Sequence, residues 1–271
     1  MTEMKVRIGF GLGTRTNLND EAYGTVVDAL ESHQFDSLWL SEKISGEAPD
    51  PLVAMAFGAG RTTNLKFGMS VMVLPGRNPV VLAKQLGTMD ALTGGRVDLG
   101  IGVGWLREEF DALGIPWERR GARTDEYVAA MRTLWSGNSV SFDGDFVSFS
   151  GVSSNPKPVN GSVPIVIGGH SDAAARRAGR LGDGFWPGKG DLDHLLDVMR
   201  REAEAHDRDP EAIEVTWAGD LTAGEDPVAA AAALAAKGVS RVIVPSFLFW
   251  QDPESSLAAF GESVVAPLAD L

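Results

Sequence analysis

The sequence contains no cysteine, so disulfides, thiolate metal sites and a cysteine nucleophile are excluded, while the compartment stays open on that ground. Histidine is scarce. His33, His194 and His206 fall in helical patterns without clustered ligand partners, and no metal is expected. No apolar run approaches the roughly 18 residues that a membrane helix needs. The stretch from Met1 to Gly13 lacks the charged, then apolar, then small-residue order of a signal peptide, so a soluble, cytoplasmic protein is expected. Basic residues are in deficit: 24 Lys and Arg stand against 37 Asp and Glu, a net charge of −13, which argues against a nucleic-acid partner. Also missing are His-Glu-x-x-His, Gly-x-Ser-x-Gly and the phosphate-binding Gly-x-x-x-x-Gly-Lys-Ser/Thr.

What remains is an ordinary globular balance, 44% hydrophobic and 23% charged, in 271 residues. Short β-branched runs recur at 5–12, 36–40, 65–74, 97–103, 163–168, 184–186, 214–221 and 241–246. Several are apolar on both faces, the pattern of parallel strands buried between layers. Helical patterns fall between them, at 19–33, 51–61, 79–92, 123–135, 171–181, 192–206, 227–237 and 253–268. Asn19 or Asp20 suits a cap, and Pro51 and Pro79 suit first helical turns. Eight such units in one chain predict an α/β fold of the TIM (β/α)8 barrel type, a single barrel over 1–271; an open doubly wound sheet is the alternative. The long interval between the fourth and fifth strands predicts an insertion over about 104–122 and 137–162. The second part alternates around Asp143-Gly144 as a β-hairpin.

Barrels place chemistry at the C-terminal ends of their strands. Gly168-Gly169-His170-Ser171 ends a buried strand and opens a helix. Its glycines permit close backbone approach, and the helix start offers N–H groups to a phosphate; the alternative is a plain turn with Ser171 as cap. Arg176 and Arg177 read as solvated helix residues. Gly100, Gly102 and Gly104 leave room for a flat ring or chain against the backbone, or serve tight barrel packing. Ser41-Glu42-Lys43 ends the second strand and puts polar groups at the mouth, where Lys43 is a proton donor or anion anchor. Trp105, Phe110, Trp117 and the hairpin phenylalanines shape a substrate pocket, or form the insertion's own core or a dimer surface.

Five stretches together resemble the bacterial-luciferase-like oxidoreductases: Phe35 to Lys43, Leu74-Pro75-Gly76-Arg77-Asn78-Pro79 with Ala83-Lys84-Gln85, Thr93 to Trp105, Ile165 to Ser171, and Arg176 to Pro187. The likeness covers nearly the whole chain in order, and its style is closer to the branch that uses the deazaflavin coenzyme F420 than to the FMN monooxygenases. It implies a homodimeric barrel oxidoreductase moving hydride between F420 and a small-molecule substrate. FMN-dependent monooxygenation and a non-catalytic flavin-binding barrel are the alternatives. It further implies a cis peptide at Ser70–Val71 behind the ring, Gly102 and Gly104 near the ring or its chain, and the Gly168–Ser171 turn at the phosphate. Lys189, in Gly188-Lys189-Gly190, matches a lysine that assists an anionic substrate in the family's sugar-phosphate dehydrogenases. Two positions depart from those dehydrogenases: Lys43 stands where relatives have an acid–base His, and Trp105 where they have a carboxylate. Glu42, adjacent to Lys43, is expected to keep that lysine cationic, which makes Lys43 an electrostatic group and Glu42 its partner.

Overall fold

A computed structural model describes residues 6–16, 18–224 and 226–269; the expected strand start at Lys5 and the leader reading of the first five residues lie outside these. The β-branched runs form parallel strands: β1 (Arg7–Leu12), β2 (Ser37–Leu40), β3 (Lys66–Met69), β4 (Met72–Val73) and β5 (Val97–Gly102). After β5 come a two-stranded antiparallel hairpin, β6 (Val140–Asp143) and β7 (Ser148–Val152), then β8 (Ile165–Gly168), β9 (Gly184–Trp186), β10 (Glu214–Ala218) and β11 (Arg241–Pro245). β1 pairs with both β2 and β11, and β3 pairs with β5, so eight strand positions close into a barrel. The third position is split. The single run expected at 65–74 is interrupted at Ser70–Val71, where the peptide bond is cis, as the resemblance implies. β4 resumes pairing on β5 through Met72 and Val73.

The helices are α1 (Asp20–Ser32), α2 (Pro51–Ala59), α3 (Pro79–Thr93), α4 (Arg107–Leu113), α5 (Arg120–Ser136), α6 (Asp172–Leu181), α7 (Leu192–Glu204), α8 (Pro227–Ala235), α9 (Pro253–Phe260) and α10 (Ala266–Ala269). Their starts follow the caps in the sequence: Asn19 accepts from the Ala22 N–H, and Asn78 accepts from Val80 and Val81 ahead of Pro79. Three expectations change. α4 lies within 104–122, where no helix was expected. The last helix, expected over 253–268, contains a π-helical turn at Gly261–Val265. The hairpin loop is wider than the two residues Asp143-Gly144 suggest, because the Glu126 carboxylate accepts from the N–H groups of Asp145, Phe146 and Val147 at 2.9, 2.6 and 2.9 Å. Among the described residues no helix is long and apolar enough to cross a membrane.

Every second residue of a barrel strand points inward. At the N-terminal end these residues, with Asp36 just ahead of β2, form a charged floor. Arg241, 2% exposed, donates from Nε to Asp36 at 2.8 Å; its Nη1 lies 2.9 Å from Glu214 and 3.4 Å from Asp98. Arg7 pairs with Glu214 at 2.5 Å and Lys66 with Asp36 at 3.6 Å. Burial pushes the Asp98 carboxyl up, with Arg241 offsetting only part. Burial acts the same way on Asp36, but Arg241, Arg7 and Lys66 together hold it below the usual carboxylate range. Above the floor, Trp39, Val166, Trp186 and Ile243 fill the barrel interior as a cluster separate from the main core. Trp39 fits because Gly68 faces it: a Cβ there would lie 2.5 Å from the indole. Arg241 stacks under Trp39 at 5.1 Å, and Trp186 meets Trp39 edge-on at 5.0 Å.

Candidate active site

The C-terminal strand ends enclose two cavities, each of about 640 Å³. Thr14, Ser41 and Ser70 line both, so they are halves of one mouth. Ser41 Oγ donates to the Ser70 carbonyl at 2.9 Å and lies 3.2 Å from Ser70 Oγ.

The first half is walled by the ends of β4, β5 and β8 and by the start of α6. Glu42, Ser70, Val71, Gly102, Gly104 and Trp105 line it, and so do Gly168, Gly169, His170 and Ser171. Sequence reasoning therefore assembled most of one cavity from four distant stretches. Its account of the glycines needs correcting. A Cβ on Gly102 would lie 2.7 Å from Val71 Cγ2, and one on Gly168 would strike Val71 Cγ1. These glycines make room for Val71, and the Val71 side chain, rather than bare backbone, forms that wall. Gly104, at φ +81°, is packed by Phe110 and Val73 at 2.6 and 2.8 Å from a notional Cβ.

At the far end lies the anion-binding geometry. Gly169 has φ +133°, a conformation L side chains rarely adopt, and a Cβ there would sit 2.9 Å from Ala174. Of the two roles open to Ser171, the structure shows the cap: its hydroxyl accepts from the Ala174 N–H at 3.3 Å. With Ala174 taken by this cap and the Asp172 N–H by its own carboxylate, Ala173 is the first-turn residue whose N–H stays available in the lining. The Asp172 side chain does not line the cavity. It turns to His194 on α7 at 2.9 Å, a hydrogen bond that lowers its pKa.

Three cations that sequence reasoning missed complete this half: Arg119, Arg120 and Arg177. Arg177, read as solvated, is 12% exposed and paired with Asp125. It follows Ala174 by three residues, on the same face of α6; that spacing from the glycine turn was the available signal. Arg120 donates to the Gly104 carbonyl at 3.3 Å and stacks on Trp117 at 3.8 Å. Arg119 pairs with Asp145 at 2.6 Å.

Glu42 is not a partner of Lys43. Its carboxylate, 4% exposed, accepts from the Val73 N–H at 2.6 Å and from Arg77 Nε at 3.0 Å, and Arg77 also reaches Asp50 at 2.6 Å. Burial pushes the Glu42 carboxyl up against the opposing pull of Arg77. Glu42 fastens the segment after β4 to the end of β2. Lys43 lines a recess of about 30 Å³ beside the cavity, with Glu42, Trp105 and Glu109. Glu109, on the unexpected α4, is buried and accepts from the Ser45 N–H and hydroxyl at 3.1 and 3.0 Å. Lys189 is exposed in the loop after β9 and lines neither half.

Of the aromatic candidates only Trp105, 77% exposed, lines the cavity. Phe110 packs edge-on with Trp117 at 5.1 Å, and Phe142 stacks on Phe149 at 5.9 Å, with Phe149 packed against the main core. Among the described residues no cluster of His, Asp or Glu could hold a metal ion. The second half of the mouth lies over β1, β9, β10 and β11, with Trp186, Ile243, Phe247 and Trp250 in its walls.

Residues 10–256 match the family model of the luciferase-like monooxygenases. The chain is 36% identical over 218 residues to the uncharacterized protein Rv0940c of Mycobacterium tuberculosis, covering 76% of this chain and 73% of that one. It is 37% identical over 202 residues to the F420-dependent glucose-6-phosphate dehydrogenase of the same organism, covering 69% of this chain and 60% of the relative's length. In structure it is similar to the coenzyme F420-dependent tetrahydromethanopterin reductase of Methanopyrus kandleri, with TM-score 0.80, 16% identity, and coverage of 97% and 99%.

Proposed function

The chain belongs to the luciferase-like monooxygenase family, and from that premise we propose that it is an oxidoreductase of the deazaflavin-dependent branch, transferring hydride between coenzyme F420 and a small organic substrate. The observation that carries the choice of coenzyme is its 37% identity to F420-dependent dehydrogenases. The cavity supports it on independent grounds. Gly169, at φ +133°, lets the turn close on Ala174 at the start of α6, and Arg120 and Arg177 add positive charge to the lining beside it, which together suit a phosphate-bearing tail.

When bound, F420 supplies the carbon that accepts or gives hydride. The chain's own residues would bind and orient. The Gly168–Ser171 turn would hold the phosphate, and Val71, backed by Gly102 and Gly168, would form the wall behind the ring. Ser41 and Ser70 stand where the two halves of the mouth meet. Lys43, in its recess beside Trp105, serves as a cation that stabilises an anionic group rather than as a base. The branch also implies a homodimer. The exposed apolar side chains Val53 and Phe57 of α2 and Val81 of α3 offer surface for it, and light scattering on the purified protein tests it.

Equilibrium titration of the protein with F420, FMN and NADPH, side by side, tests the coenzyme. Tightest binding of F420 is expected. Preference for FMN, with oxygen consumption on adding reduced flavin, would replace this reading by flavin-dependent monooxygenation.

A further inference from the structure

We infer that Trp117 is a positioning residue for coenzyme binding: it holds Arg120 as a charged fork for the coenzyme's phosphate without neutralising it. The inference rests on the coenzyme reading above, which puts that phosphate at the Gly168–Ser171 turn.

The three arginines of the first half are held in two ways. Arg119 and Arg177 pair with Asp145 and Asp125, which fix each guanidinium but answer its charge. Among the described residues Arg120 has no carboxylate partner. Its Nε donates to the Gly104 carbonyl at 3.3 Å, and its guanidinium lies 3.8 Å from the centre of the Trp117 ring. An indole face attracts and aligns a guanidinium plane while leaving it charged and its N–H edges open. Of the N–H donors of Arg120 only the one on Nε is used, so both terminal nitrogens stay free to grip an oxyanion side by side. Arg120 opens α5, and the next residue, Gly121, abuts Arg177: a Cβ there would lie 3.0 Å from its Nη2. The start of α5 thus adjoins Arg177 on α6, and both guanidiniums line the cavity together with the glycine turn.

Trp117 itself lines neither half of the mouth. It is held from two sides. Inside, Phe110, 2% exposed, meets it edge-on at 5.1 Å, and Gly104 leaves room for Phe110, since a Cβ there would lie 2.6 Å from that ring. Gly104 therefore serves both ends of one arrangement: its missing side chain admits Phe110, and its carbonyl takes Arg120. Outside, the buried Arg123 donates to the Pro116 carbonyl at 2.8 Å, one residue before Trp117. Arg119 and Arg123 both lie on Phe146 at the hairpin tip, at 4.7 and 4.8 Å. Both parts of the insertion so fasten the turn that carries the indole. A fork fixed before the ligand arrives spares the ordering of a long, flexible side chain on binding.

Equilibrium titrations with three compounds test the assignment: F420, the ribityl deazaflavin that lacks the phosphate and everything beyond it, and the 5′-phosphate of that deazaflavin. The two phosphorylated forms are expected to bind more tightly. Arg120→Gln should weaken both by about tenfold or more, the worth of a hydrogen bond to a charged group, and leave the unphosphorylated compound unchanged. Trp117→Leu keeps an apolar contact for Phe110 but offers no π face. It should weaken both phosphorylated forms about three- to tenfold, again without effect on the unphosphorylated one, and Trp117→Phe should restore most of the loss. Combined with Arg120→Gln, Trp117→Leu should add nothing further, because the indole acts through the arginine. Arg120→Lys, which keeps the charge without the flat fork, should match Trp117→Leu and carries the test if that variant does not fold. Equal loss for all three compounds, additive losses in the double variant, or full affinity in Arg120→Gln or Arg120→Lys would each overturn the assignment. So would a loss confined to F420, which would move the contact to a group beyond the phosphate. Failure of the parent protein to bind any of the three would instead overturn the coenzyme reading.

Discussion

The two ends of the barrel interior treat charge in opposite ways. At the floor, Arg241, Arg7 and Lys66 are matched against Asp36, Asp98 and Glu214, and the charges answer one another. At the mouth, Arg119 and Arg177 are paired with Asp145 and Asp125, but Arg120 has only a carbonyl and an indole as neighbours, and Gly169 holds a backbone shape that L side chains rarely adopt. A closed network spends its electrostatics on the protein itself. An unanswered one keeps it for a ligand. The same fold therefore separates stability from binding along a single axis, and that separation can be attacked from either end.

The largest effect is expected from Arg241→Met. It leaves Asp36, Asp98 and Glu214 without their shared cation, and breaking a buried ion pair from one side costs about 3–5 kcal/mol. Urea denaturation should show that loss, while F420 affinity of the remaining folded protein stays unchanged; a parallel fall in affinity would show that the floor tunes the mouth. Gly169→Val should do the reverse. Forcing a branched residue to this φ costs of order 1–3 kcal/mol, less than the floor variant, but F420 should bind at least tenfold more weakly because the turn must move off Ala174. Lys43→Met, on a half-buried side chain with no role in the network, should change stability by about 0.5 kcal/mol or less. It should lower turnover without altering the shape of the pH–rate profile below about pH 9. A variant that loses a rate-controlling ionisation near neutrality would make Lys43 an acid–base group instead.

The smallest effect sharpens the floor side. Burial alone would raise the Glu31 carboxyl, but hydrogen bonds from Thr63, Leu65 and Asn64 outweigh it and hold it down to about 2. A depressed carboxyl contributes stability above its unfolded value of 4.5, and that contribution is lost as pH falls through about 2. Melting temperature followed from pH 6 to 2 should therefore fall less steeply in Glu31→Gln than in the parent. The difference will be modest, since the carboxylate is partly solvated and screened.

The barrel was legible because its strands are buried on both faces and its helices begin at prolines and Asx caps. α4 was not. Of Arg107–Leu113 only Glu109 and Phe110 are buried, too few to print a helical period. The break at Ser70–Val71 has no side-chain signature, and it entered through family likeness alone. Arg177 looks like any surface arginine until α6 is docked, because charge at a site is a property of the fold rather than of the local sequence. Glu42 and Lys43 were paired by adjacency, although consecutive residues in extended chain diverge. The glycines at 102 and 168 were read as space for a ligand, but what fills that space, Val71, comes from another segment of the chain.

The edge-on contact of Trp39 and Trp186 carries one more consequence. Two indoles 5.0 Å apart, with their planes at 79°, are close enough for their electronic transitions to couple, and such a pair gives a circular-dichroism couplet that neither ring gives alone. One partner is buried above the floor and the other lines the second half of the mouth. The barrel thus carries a built-in optical gauge: the couplet should vanish when the interior opens and shift when a molecule settles against Trp186, reporting closure and occupancy without any added label.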